Sequence, residues 1–111
     1  MAVFTPKRLS GPALLTTSVT PAYTVPAGRT AVSKQIIFNN TGGAGTTVTV
    51  NIVPNAGSPA TSNQVVSQLN IAGYSQIIWS ADIPLEAGAS VQLSAALSNV
   101  VTATVSGIEI V

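Results

Sequence analysis

The chain has 111 residues, no cysteine and no histidine; 6% of its residues are charged and its net charge is +1. That length suits one domain with a core large enough to need no staples. The two missing residue types exclude disulfides, thiolate metal sites, cysteine nucleophiles and the commonest general base and metal ligand. An average globular domain is about 25% charged. Here the charges are Lys7, Arg8, Arg29, Lys34, Asp82, Glu86 and Glu109, and the polar exterior falls to 37 Ser, Thr, Asn and Gln residues. A free monomer keeps its solubility with a charged exterior of mixed sign, so this composition fits a chain whose surface is largely covered at work. A secreted β-domain with a neutral Ser/Thr surface is the plainer alternative.

Residues 1–12, "MAVFTPKRLSGP", read as an arm preceding the domain proper at 13–111. They hold two prolines, a glycine, the one adjacent basic pair and little alternation. Such arms are disordered unless a partner ties them down. The expectation is an arm lying against a neighbouring subunit or the particle, with Phe4 or Leu9 as anchor and Lys7 and Arg8 facing acidic groups; a longer first strand, or an arm folded back on its own domain, is the alternative. The same prolines and charges break the apolar run a signal peptide needs, and no run approaches the ~18 residues that span a bilayer. The chain therefore reads as made in a cytoplasm, without a membrane partner.

From "LLTTS" (14–18) and "AYTV" (22–25) onward, β-branched residues alternate with polar ones. "TAVSKQIIFN" (30–39) places Val32, Ile36 and Phe38 on one face, with Lys34 out of character in the same phase. "TTVTVNIV" (46–53) is the clearest half-buried strand, with Val48, Val50 and Ile52 inward. "QVVSQLNI" (64–71) follows, then "SQIIWSADI" (75–83) with Ile77, Trp79, Ala81 and Ile83 in phase. "SVQLSAAL" (90–97) sends Val91, Leu93, Ala95 and Leu97 one way. "VTATVSGIEI" (101–110) keeps Val101, Ala103 and Val105 in phase and then switches to Ile108 and Ile110, as a β-bulge at Ser106-Gly107 would require. The expected core is Val32, Ile36, Phe38, Val48, Val50, Ile52, Ile77, Trp79, Val91, Leu93 and Val105.

Three turns share a pattern: "VPAGRT" (25–30), "NIAGYS" (70–75) and "LEAGAS" (85–90). Each supplies a glycine for a positive φ before the next strand, and Pro26 suits position i+1 of such a turn. Backbone N–H groups in these turns can cradle an anion, but only Arg29 accompanies them. Six to eight short strands separated by turns of this kind make an all-β chain, an antiparallel β-sandwich of jelly-roll or Ig-like type. A small open barrel is the alternative.

Chemistry is sparse. Asp82 and Glu86 flank one turn and are the nearest thing to an acid–base pair, yet unsupported loop carboxylates are solvated, so no catalytic residue is assigned. No metal or cofactor is expected, since no run of oxygen ligands resembles a calcium loop. Four basic residues make no stripe for nucleic acid. The candidate contact residues are Phe4, Lys7, Arg8, Leu9, Arg29 and Tyr74. Sugar binding would use exposed aromatics among Tyr23, Tyr74 and Trp79, with Trp79 in phase with the core and Tyr74 exposed on its turn.

The segments "KRLSGPALLTTS", "YTVPAGRTAVSKQIIFNNTGGAGTTVTVNIVP", "LEAGASVQLSAAL" and "TVSGIEI" resemble short β-sandwich structural proteins of tailed bacteriophages and prophages. The resemblance covers nearly the whole chain and rests on strand-and-turn patterns. It implies a virion protein that decorates or cements a capsid by binding the major capsid protein across capsomers, as a homo-oligomer with a trimer favoured. The alternative it leaves is a tail or baseplate module that binds a host carbohydrate or receptor.

Overall fold

The computed structural model describes residues 3–111; Met1 and Ala2, the start of the expected arm, lie outside the described residues. Eight strands run β1 (Phe4–Leu14), β2 (Thr20–Thr24), β3 (Thr30–Asn40), β4 (Thr46–Val53), β5 (Gln64–Ile71), β6 (Gln76–Leu85), β7 (Ser90–Ala95) and β8 (Val101–Ile110). All pairings are antiparallel: β1 with β8, β2 with β7, β3 with β6 and β4 with β5. That is one long ribbon folded at its middle, with residues 54–63 as its tip. Two further pairings, β3 with β8 and β4 with β7, join the wound ribbon into two sheets. Sheet A has the order β1-β8-β3-β6 and sheet B the order β2-β7-β4-β5. This is the jelly-roll form of the sandwich. The turns 25–29, 54–63 and 86–89 gather at one end, called lower here, beside Phe4 and Ile110.

Alternation builds the core between the sheets. Ile36, Phe38, Val48, Val50, Leu93 and Val105 are at most 1% exposed. Ile77 and Trp79 point inward from β6, the edge of sheet A, and pack half-buried against that core; Ile52 does the same at the lower end. β7 stops at Ala95, so Leu97, expected in phase with it, is exposed.

The structure departs from the sequence pattern in three places. First, Lys34 is an extra residue in β3: Ser33 pairs with Gly107 and Gln35 with Ser106, leaving Lys34 bulged. The bulge reverses the phase, so Ala31 and Ser33 face inward below it, while Val32, expected in the core, faces outward and is half-buried. Gly107 is needed opposite, because a Cβ there would collide with the Val32 carbonyl.

Second, β8 has no phase break. Val101, Ala103, Val105, Gly107 and Glu109 are all buried in strict alternation, and Ile108 and Ile110 lie on the outer side. Third, residues 4–12 of the expected arm belong to β1 along the edge of sheet A, which pairs with β8 from Phe4–Ile110 to Leu14–Thr102 with register shifts between Arg8 and Ser10 and between Ser10 and Ala13. Lys7 and Glu109 each break the apolar pattern of their own strand because both side chains turn inward, where they pair at 3.2 Å.

The repeated turns are of two kinds. Pro26–Arg29 and Glu86–Ala89 close on i to i+3 hydrogen bonds, with Gly28 at φ 77° and Gly88 at φ 84°. Pro26 therefore occupies position i, not i+1, and gives its carbonyl as acceptor. These two turns lie side by side, with the Val25 N–H donating to Ala89 and the Gly88 N–H donating to Val25. The third copy slips by one residue to Ala72–Ser75 and puts Tyr74 at φ 53°. Gly73 has no room for a Cβ against the Gly43 carbonyl.

Candidate interaction surface

The structure separates the six candidate contact residues into three groups. Lys7 and Arg29 belong to a cluster at the lower end built on Glu109, which is 3% exposed. Its carboxylate accepts from Lys7 Nζ at 3.2 Å, from Arg29 Nη1 at 3.0 Å and from the Tyr23 hydroxyl at 2.6 Å. The donors come from β1, from the β2–β3 turn and from β2, so the cluster clasps the two sheets together along the β1/β2 edge. The Tyr23 hydrogen bond, helped by the two cations, holds the Glu109 carboxyl below its ordinary value despite its burial. Burial, then the hydrogen bond to Glu109, pushes the Tyr23 phenol well above its ordinary value. Leu9 packs half-buried against the core and over Gly107. These three residues hold the chain to itself.

Tyr74 stands alone at the upper end. It is 79% exposed and lies over Gly43, while Trp79 faces inward. The two rings form no common platform.

Phe4 and Arg8 remain, and both lie on the outer face of sheet A. The register builds this face in rows across the strands. The lowest row pairs Phe4 of β1 with Ile110 of β8 and Thr30 of β3. Above it run Pro6, Ile108, Val32 and Pro84. Next come Arg8, Ser106, Gln35 and Ser80, and above these Thr104, Ile37 and Ile78. Phe4 is 62% exposed and Ile78 53%. A separate open cleft of about 510 Å³ lies between the two sheets at the lower end, lined by Ile52, Pro54, Pro84, Leu85, Ala89 and Ile110 among others.

Charge on this face is nearly cancelled. Lys34 and Asp82 pair at 3.3 Å across the β3 bulge. Of the seven charged side chains, the described ion pairs use Lys7, Arg29, Glu109, Lys34 and Asp82, leaving Arg8 and Glu86 without one. Arg8 thus stands as the uncompensated charge in a face of isoleucine, proline, valine and small polar residues. Sequence reasoning missed Glu109, Tyr23 and the apolar outer rows. Their signal was the misfit of Ile108 and Ile110, which was read as a bulge and is an outward-facing apolar pair. Among the described residues no cluster of acidic side chains is suited to hold a metal ion.

Compared with known proteins, the chain matches no family model and no curated sequence.

Proposed function

We propose that the protein is a structural component of a bacteriophage particle, a capsid decoration or cement protein that works as a homo-oligomer. The observation that carries this reading is the outer face of sheet A: four strands wide, apolar in two of its rows and left with one unpaired charge. A large neutral face of this kind marks a surface meant to be covered. The jelly-roll architecture adds an analogy of fold, since capsid and lectin domains use it.

The mechanism is passive. A protein that binds only the assembled shell stabilises that shell by linkage, and many copies on one particle add avidity. Mass spectrometry of purified particles from the encoding host is the test. High copy number on heads, with lower thermal stability of particles made without the protein, is the expected result. Absence from mature particles overturns the reading, and a few copies confined to the tail would favour a receptor- or carbohydrate-binding module instead. Tyr74 is then the exposed ring to substitute, with a glycan array as the readout.

A further inference from the structure

We infer that the outer face of sheet A is the interface of a two-fold dimer of this chain, held by Arg8 of each copy on Asp82 of the partner subunit. The inference rests on reading this face as an assembly surface, though not on the virion role. Its argument is charge complementarity within one face. Arg8 lies on β1 and Asp82 on β6, the two edge strands of sheet A. Arg8 occupies the row of Ser106, Gln35 and Ser80, and Asp82 is two residues further along β6, roughly 7 Å down the strand. An arginine side chain spans that offset.

A two-fold axis parallel to the strands, passing between β8 and β3, sets β1 of one copy over β6 of the other at the same height. Both Arg8–Asp82 contacts then form at once, as an isologous interface demands. The rows of Pro6, Ile108, Val32 and Pro84 meet their own copies between them. Asp82 has its side chain 69% exposed and is bound on one side by Lys34, so its free side is open to a second cation. Burying Arg8 unpaired would be costly, which makes a carboxylate opposite it a requirement for any occupant. The second copy supplies one in place.

The area agrees. Four strands spaced at about 4.8 Å and some ten residues long give a face of roughly 600 Å² per copy. Two copies bury about 1,200 Å², the lower limit for a specific stable interface. The dimer should therefore dissociate on dilution.

Sedimentation or light scattering of the purified protein over a wide concentration range tests this without any particle. The expected mass is twice 11.2 kDa at high concentration. Arg8→Asp and Asp82→Arg each place like charges opposite one another, and each should weaken the dimer by about tenfold or more. Their thermal unfolding should stay close to that of the parent chain, since both side chains lie outside the core. Mixing the two variants is the decisive arm. In the mixed pair Asp opposes Arg at both contacts, so a heterodimer should form where neither variant associates alone. A protein that stays monomeric, a trimeric mass, single variants that remain dimeric, or a mixture that fails to associate would each overturn the inference. Failure here leaves the particle test standing, and absence from particles leaves this one standing.

Discussion

The two sheets of this sandwich treat their outer faces in different ways. On sheet B the chain covers the middle of the face, at β7 and the lower half of β4, while the edge strands β2 and β5 stay largely exposed. Asn51 points outward from β4 yet is 2% exposed, because its amide donates to the Ala60 carbonyl at 3.1 Å and to Asn63 Oδ1 at 2.7 Å, fastening the 54–63 loop across the strand. Beside it all six residues of β7 are buried, including Ser90, Gln92 and Ser94. Sheet A has no such cover, and its outer rows carry Phe4, Val32, Ile78, Pro84, Ile108 and Ile110. A chain that hides small polar residues on one face and shows branched apolar ones on the other is arranged for a partner on the second. The difference lies in packing, and it is the strongest pointer to assembly that the fold contains.

The shared core sets the scale for testing that contrast. Phe38→Ala empties a fully buried site on β3, where the ring is 0% exposed, and should cost about 3–5 kcal/mol. Chemical denaturation of the monomer measures it. A loss below roughly 1 kcal/mol would mean that the two sheets are not packed as described.

Covering the middle of sheet B should have a measurable value. Asn51→Ala removes both bonds that hold the 54–63 loop. The cost should be about 1–3 kcal/mol, toward the lower end because Asn51 Oδ1 is buried without a hydrogen-bond partner and its loss offsets part of the penalty. Hydrogen exchange should show protection falling furthest in β4 and β5, beside the loop, and less in β1 and β8. Uniform loss of protection across both sheets would break the distinction between the faces.

The clasp on Glu109 ties the bare sheet to the partly covered one, and pH reads it from two sides. The Glu109 carboxyl is held below its ordinary 4.5. Its contribution is therefore complete above that value and is lost as pH falls through the lower, folded-state value. The Tyr23 phenol is raised above its ordinary 10.0, so its contribution is complete below that value and fades as pH rises toward the folded-state value. Stability from this cluster should form a plateau between the two ordinary values. Glu109→Gln removes the charge and should flatten the acid shoulder in urea titrations run across pH, while the alkaline shoulder is only reduced, because burial, the larger cause of the Tyr23 shift, remains. An unchanged acid shoulder would show that the carboxylate is not a determinant.

The sequence showed the strands and most of the core, because period-two alternation is a local property that survives in β4, β6 and β7. It hid the places where two strands correct each other. Lys7 and Glu109 both point inward; each alone looks like a surface charge, and only the β1–β8 pairing reveals them as partners. The sequence suggests an arm where β1 lies because Pro6, Gly11, Pro12 and the basic pair break the alternation, and the irregular pairing of β1 with β8 accommodates those breaks. The bulge at Lys34 is equally non-local, because the extra residue is visible only against β8. Ile108 and Ile110 misled in the reverse sense: a rule that sends apolar residues inward cannot recognise a face reserved for a partner. The family resemblance bore on none of these points.

The smallest expected effect on folding bears most directly on the bare face. Ile78 is 53% exposed in the outer rows of sheet A, on edge strand β6. Its side chain leaves little surface to be lost from the folded monomer. Ile78→Ser should therefore change stability by no more than about 0.5 kcal/mol, as surface substitutions do. If a second copy covers this face, the same substitution removes apolar contact from both sides of a two-fold interface. It also puts a hydroxyl there that needs a partner. Self-association should then weaken several-fold while the unfolding midpoint of the dilute monomer stays put. Asn51→Ala should do the opposite, weakening the fold and leaving association unchanged under folding conditions. Measured together, the two variants separate a face that holds the molecule together from one that holds molecules to each other. Should Ile78→Ser destabilise the dilute chain by more than about 1 kcal/mol, its side chain is packed within the monomer and sheet A is not a bare face.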